Sequence, residues 1–274
     1  MIIKVIIPIL NPPETFFTDL IPSLLKQMLQ TEILLINSGD AIPVGNYEVI
    51  TIDKKKFNHA NTRNLALEYA ADYYLFMTQD AMPFDEFLLE NLVRCFDHKD
   101  VVVSYARQIP YSDADPIEMF ARSTNYPKES KIQSYEDLPH MGVKTFFSSD
   151  SCAMYQGEYF KVLGGFKRDN NTSEDMEFAA RAILNNKKVA YCADAKVYHS
   201  HNFSLLQTWK RYREISKFFA KNHWILKTVS QFKSAESTGI KQALLELRHL
   251  MIAAPHYIPR SIMLSITKYI AFKV

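Results

Sequence analysis

Five short apolar runs spread from Ile2 to Tyr105 constrain this chain more than anything else in it. Ile2 to Leu10, Glu32 to Ile36, Tyr47 to Ile52, Tyr73 to Met77 and Val101 to Tyr105 are rich in β-branched or aromatic residues and too short for buried helices, so each reads as a strand. Between them the period changes. After Pro12 and Pro13 the residues Phe16, Phe17, Leu20, Ile21, Leu24, Leu25, Met28 and Leu29 recur at the spacing of one helix face. A second helix is predicted to follow Phe57 to Asn64, carrying Leu65, Ala66, Tyr69 and Ala70, and a third to span Glu86 to Phe96. Strands alternating with helices at this pace predict βαβ units, hence an α/β fold with a mainly parallel sheet.

From 107 to 147 the rhythm is lost in a stretch rich in Tyr, Pro, Ser and Asp, which reads as an irregular insert of the kind that shapes binding pockets. Ser149 to Tyr155 is predicted as a strand, Glu158 to Leu163 as a short helix and Gly164-Gly165 as a turn. A helix from Thr172 to about Asn186 and strands over Lys188 to Cys192 and Ala195 to His199 follow. Beyond His201 the pattern is helical, with segments near 203–222, 237–253 and 260–272.

Charge separates the last part from the rest. Residues 203–274 hold 12 Lys and Arg against three Asp and Glu, a surplus of nine, while the overall formal charge is only +2. Such a segment faces something anionic: a membrane surface, phosphates or the acidic body of the same molecule. The basic residues are interleaved with apolar ones at helical spacing, which disfavours nucleic acid as the partner. Ile262, Met263, Ile266, Tyr269 and Ile270 alternate with Arg260, Lys268 and Lys273, a pattern equally suited to lying on a membrane or to packing on a core with snorkelling lysines.

The three cysteines, Cys95, Cys152 and Cys192, are odd in number and lack a C-x-x-C pattern, which argues for a reducing cytoplasm. No secretory signal is visible, and no apolar run reaches the ~20 residues that cross a bilayer. With seven glycines and neither G-x-G-x-x-G nor a P-loop motif, a dehydrogenase or P-loop kinase is disfavoured.

Candidate chemistry begins at Asp80, three residues past the run Tyr73 to Met77. In an open α/β sheet ligands bind beyond the carboxyl ends of strands, although an aspartate there can also cap a helix. His199 and His201 fall on one side of an extended segment. Asp175 stands in Thr172-Ser173-Glu174-Asp175, which also fits a helix capping box. A zinc site from the two histidines and Cys192 would lack regular four-ligand spacing.

The motifs Ile6-Ile7-Pro8-Ile9-Leu10-Asn11, Ile36-Asn37-Ser38-Gly39, Phe57 to Asn64, Thr78-Gln79-Asp80-Ala81, Ser173-Glu174-Asp175, Tyr198 to Asn202 and Trp209 to Arg213 resemble, in order, those of glycosyltransferase family 2, with bacterial rhamnosyltransferases as the nearest likeness. The resemblance covers nearly the whole chain. It implies a GT-A fold, a mainly parallel mixed sheet flanked by helices with a C-terminal helical extension. Residues 1–202 would form the transferase domain, 1–106 its donor-binding and 107–202 its acceptor-binding half, and 203–274 the basic helical region. By the same resemblance Asp175 is the general base. Pro8, Asn11, Asn37, Asp53, Arg63, Gln79, Asp80, Arg211 and Arg213 belong to the donor site. Asp80 and His199 hold Mg²⁺ or Mn²⁺, and Glu174 and His201 meet the acceptor. Thr78 stands where the family's motif has its first aspartate, so metal affinity without nucleotide is expected to be weak.

The implied reaction is inverting transfer of L-rhamnose from a dTDP-L-rhamnose type donor to a glycan or lipid-linked acceptor in surface polysaccharide synthesis. The alternatives are another sugar from a UDP donor, or a carbohydrate-binding relative without turnover. The implied location is the cytoplasm, with peripheral contact to the membrane through the C-terminal helices as the further possibility.

Overall fold

A computed structural model describes residues 1–168, 170–232 and 235–274, with 235–238 described by backbone alone. Strands β1 (Ile3–Ile9), β2 (Glu32–Asn37), β3 (Glu48–Thr51) and β4 (Tyr73–Met77) stand where the apolar runs place them. Helix α1 (Ile21–Leu25) follows a π-helical turn over Phe16–Leu20, and α2 (His59–Arg63) follows β3. After β4 come β5 (Met82–Pro83), α3 (Leu88–Arg94), β6 (Val101–Ile109), α4 (Pro116–Asn125), β7 (Lys131–Gln133), α5 (Leu138–Met141), β8 (Cys152–Gln156) and α6 (Gly157–Val162). The chain continues with α7 (Glu174–Leu184), β9 (Lys188–Tyr198), α8 (Leu205–Lys221), α9 (His223–Ser230), α10 (Ala235–Ala253) and α11 (Ile258–Lys273).

The strands form one sheet in the order β3-β2-β1-β4-β8-β6-β9-β5, with β7 added on β9. Its first half is parallel, as the βαβ pattern predicts, while β8 runs antiparallel to both β4 and β6. Pairing of Met77 with Cys152 puts the start of β8 beside the end of β4. The strand ends that carry Thr78 and Asp80 therefore lie next to Asp150 and Ser151, and the Thr78 N–H donates to the Ser151 carbonyl at 3.3 Å.

Side chains divide between the faces with the period of two that strands impose. On β4, Tyr74 and Phe76 enter one core with Tyr155, Phe160, Phe166 and Phe178, whereas Leu75 and Met77 enter the opposite core with Ile7, Leu88 and Leu92. The aromatic core is built largely from edge-to-face contacts, Phe76 and Tyr155 at 5.4 Å and Tyr155 and Phe178 at 5.0 Å. Gly165, at φ +70°, lets the Asn64 amide reach the backbone of Phe166; a Cβ there would stand 2.4 Å from Asn64 Oδ1.

Several local expectations are corrected. Tyr69 and Ala70 leave the helix, because the single turn of α2 tightens to a 3₁₀ turn over Asn64–Glu68. The stretch 107–147 is not irregular: β6 runs on to Ile109, and Asp115-Pro116 starts α4, with the Asp115 carboxylate accepting from the N–H groups of Ile117 and Glu118. The two strands expected between Lys188 and His199 are one, β9, whose pairing with β6 slips between Ala106 and Arg107. Helix α9 was not anticipated, and α7 starts at Glu174 without the Thr172 box: its cap residue is Ser173, at φ 57°, with no side-chain capping bond.

The basic region is not a loose extension. Ser216 of α8 donates to the Phe272 carbonyl at 2.8 Å, and Arg260 reaches Asp115 at 3.2 Å and the Phe203 carbonyl at 3.3 Å. Leu250, Ala254 and Leu264 form a small core with Ile117 of α4. The helices thus pack on the body of the chain, while Leu244, Met251, Ile252, Ile262, Met263, Ile266 and Tyr269 stay exposed. No helix among the described residues is long and apolar enough to cross a membrane.

Candidate active site

The carboxyl ends of β4, β6 and β9, the start of β8, the N-terminus of α7 and one face of α8 enclose a cleft of about 530 Å³. A smaller pocket of about 230 Å³, lined by Pro8, Leu10, Phe57 and Gln79, adjoins it, and His59, Arg63 and Thr78 line both. This two-part site has an apolar slot on the β1 side and a polar chamber on the β8 side.

Arg63 organises the chamber. It is buried, and its Nη1 donates to Glu174 Oε1 at 2.7 Å and to His59 Nδ1 at 3.0 Å, while its Nε lies 3.5 Å from Asp150 Oδ2. The guanidinium always donates, so His59 accepts at Nδ1. Burial, then the Arg63 charge, lower the His59 pKa to about 4, and the neutral ring therefore carries its proton on Nε2. Glu174, read as an acceptor contact, lines the cleft with its carboxylate buried against Arg63.

Asp175 lines the cleft. Its Oδ2 accepts from the Asp150 N–H at 3.1 Å and its Oδ1 from the Met176 N–H at 2.7 Å, bonds that orient the carboxylate without a capping box. Burial, then the nearby Glu174 charge, raise its pKa to about 6. Asp150 is buried too; burial outweighs the Arg63 charge and keeps its carboxyl well above the ordinary range, while the Tyr155 hydroxyl donates to Oδ1 at 2.6 Å. The sequence reading passed over Asp150, which in Ser148-Ser149-Asp150-Ser151 has the local signature of a turn.

At the other side stand Asp80, His199 and His201. His199 Nε2 is 3.5 Å from Asp80 Oδ1, His201 Nε2 is 3.3 Å from Asp80 Oδ2, and the two Nε2 atoms are 3.2 Å apart. Burial works to raise the Asp80 pKa, but the His199 bond and charge hold the carboxyl below its usual range. Arg122 donates to Gln108 Oε1, whose amide also donates to Ser149 Oγ at 2.9 Å. Gln108 Oε1 is 2.9 Å from His199 Nδ1, so His199 donates there and its Nε2 is turned toward Asp80. One carboxylate and two imidazoles with ligand atoms within 4.8 Å of one another could hold a divalent cation, and Asp80 is exposed on its other side.

The remaining expected residues divide. Pro8 and Gln79 line the small pocket, Gln79 Oε1 accepting from the Leu10 N–H at 2.8 Å. Asn11, at φ 43°, accepts from the Asp40 N–H at 2.8 Å, and the Asn37 amide bridges Gly39 N–H and the Asp40 carbonyl at 2.9 and 2.8 Å. Both asparagines therefore shape the turn after β2, and neither lines the pocket. Asp53 is exposed and caps the turn over Lys54–Lys56, so it is not brought to the cleft. On α8, Arg211 lines the cleft over the Phe203 ring at 5.5 Å, with Tyr212, Ile215 and Phe219, whereas Arg213 is not part of the lining. Lys268 of α11 also lines it, 6.0 Å over the Tyr212 ring, a contribution no local pattern signalled.

An α/β sheet with a carboxylate and two imidazoles gathered at a strand end, a separate buried carboxylate in the same cleft and an adjoining slot beside β1 is the arrangement of a glycosyltransferase of the GT-A class. Solved structures agree on the fold. The mannosyltransferase PcManGT from Pyrobaculum calidifontis, in complex with GDP-Man and Mn²⁺, matches at a TM-score of 0.62 and 14% identity over 98% of this chain and 86% of that one. S. aureus TarS 1-349 in complex with UDP matches at 0.57 and 17% identity, over 99% and 89%. No family model matches the chain. The O-antigen chain rhamnosyltransferase WbaN of Salmonella anatum is 34% identical over 98% of this chain and 87% of its own length. RfbN of Salmonella typhimurium is 34% identical over 100% and 89%. This chain belongs to the O-antigen chain rhamnosyltransferase family.

Proposed function

We propose that the chain transfers L-rhamnose, with inversion, from a dTDP-L-rhamnose type donor to a glycan or lipid-linked acceptor in bacterial surface polysaccharide synthesis. The relatives named for rhamnose transfer supply the sugar. The observation that carries the chemistry is Asp175, a cleft carboxylate fixed by two backbone N–H groups and raised to about 6. A base of that strength is ionised at neutral pH and still holds a proton usefully. The acceptor oxygen bonds to the anomeric carbon as the bond from that carbon to the diphosphate oxygen breaks. The hydroxyl proton passes to Asp175, and the bonding pair leaves with the nucleoside diphosphate.

The other groups serve the leaving side. His59 offers an Nε2–H donor where the two pockets meet, and Arg211 and Lys268 bring positive charge to the cleft from α8 and α11. Asp80 and His199 would hold Mg²⁺ or Mn²⁺, which when bound neutralises charge on the donor diphosphate. Tyr126, Phe147 and Phe219 give the cleft flat apolar faces suited to a sugar. The exposed apolar residues of α10 and α11, with the basic surplus around them, suit peripheral contact with an anionic membrane that would present a lipid-linked acceptor.

A donor panel tests the reading. dTDP-L-rhamnose should raise the unfolding temperature and be slowly hydrolysed in the presence of Mn²⁺, and UDP-glucose and UDP-galactose should do neither. Response to a UDP-sugar alone would move the assignment to another hexose, and response to none would leave a carbohydrate-binding relative.

A further inference from the structure

The proposed metal site is short of one carboxylate on the β4 side, where Thr78 stands two residues before Asp80. Across the cleft, the chain supplies a second imidazole. His201 Nε2 approaches Asp80 Oδ2 at 3.3 Å and His199 Nε2 at 3.2 Å, so three ligand atoms face a common point. The His201 backbone N–H is fixed on Glu118 Oε1 at 3.0 Å, and its ring stacks on Phe203 at 5.1 Å. Glu118 also binds Arg122, the residue that orients Gln108 against His199, so one ion pair steadies both rings.

We infer that His201 is a third protein ligand to the metal, and that the resulting Asp80-His199-His201 set selects a transition ion, Mn²⁺, over Mg²⁺ and binds it before the nucleotide arrives. The inference rests on the reading of Asp80 and His199 as a metal pair. Two imidazoles and one carboxylate suit ions that accept nitrogen ligands, whereas Mg²⁺ prefers oxygen and retains its waters. Three ligands from the protein also remove the need for phosphate oxygens to complete the hold. The weak nucleotide-free affinity expected from a single carboxylate is thereby replaced by the opposite expectation.

The test uses the full chain without nucleotide. Mn²⁺ binding is followed by electron paramagnetic resonance, Mg²⁺ is added as competitor, and electron spin echo modulation counts coordinated imidazole nitrogens. Wild type should bind Mn²⁺ at least about tenfold more tightly than Mg²⁺ and show two nitrogens. His201→Ala and His201→Asn should keep the wild-type circular dichroism, lose about 10–100-fold in Mn²⁺ affinity and show one nitrogen. Wild type with one nitrogen, or His201 variants with unchanged affinity, would overturn the inference while leaving the metal pair intact. His199→Ala and Asp80→Ala that bind Mn²⁺ as well as wild type would instead overturn the metal pair on which it rests, a failure separable from the donor panel.

Discussion

Arg63 Nη1 and Glu174 Oε1 meet at 2.7 Å with both side chains buried, 111 residues apart in the chain. The pair ties the helix after β3 to the helix that presents Asp175. Removing one partner leaves the other charge buried and uncompensated. Arg63→Met should lower stability by about 3–5 kcal/mol, measured by urea unfolding, and the double variant with Glu174→Gln should recover part of that loss.

Asp175→Asn should keep the fold and cut kcat by about 10²–10⁴-fold. A loss below tenfold with an unchanged melting curve would remove Asp175 from the role of base.

The pH dependence follows from the same group. A base works without its proton, and the Asp175 pKa is raised to about 6, so kcat should fall as pH drops through about 6 and level off above it. Asp150→Asn changes the neighbour whose N–H and carboxyl face Asp175. It should shift that limb, whereas a purely structural role would alter stability alone.

Lys268 and Arg211 line the cleft from two helices. A charge-assisted bond to a phosphate is worth about 1.5–3 kcal/mol, so Arg211→Ala and Lys268→Ala should each reduce kcat/KM by roughly 10–100-fold. Arg213→Ala, which lies outside the cleft lining, should change it less than threefold.

Ile262, Met263 and Ile266 are exposed on α11 beside the basic residues. Co-sedimentation with vesicles rich in anionic lipid should exceed that with neutral vesicles and fall with added salt, and Ile262→Ser with Ile266→Ser should weaken it without changing donor hydrolysis.

The sequence made the strand frame legible because buried strands announce themselves locally: Tyr73 to Met77 was placed to the residue, and Asp80 at its end followed. Asp175 and His199 were legible through the resemblance rather than through spacing. Asp150, Gln108 and Lys268 were not. Each reaches the cleft through pairing or packing that no short window encodes: Asp150 through the antiparallel return of β8, Gln108 through an extension of β6 beside β9, Lys268 through docking of α11 on α8. The capping reading of Thr172 failed for a related reason, since Ser173 adopts a left-handed conformation that turns the helix start toward β8.

The Lys268 contribution from α11 has a consequence for biosynthesis. A chain emerging from the ribosome carries Asp80, Asp175 and His199 long before residue 258, yet until α11 is translated and docked the cleft lacks the Lys268 charge. Transfer competence should thus rise when α11 docks, and partial chains ending before α11 should turn over donor less efficiently even where their sheet has folded.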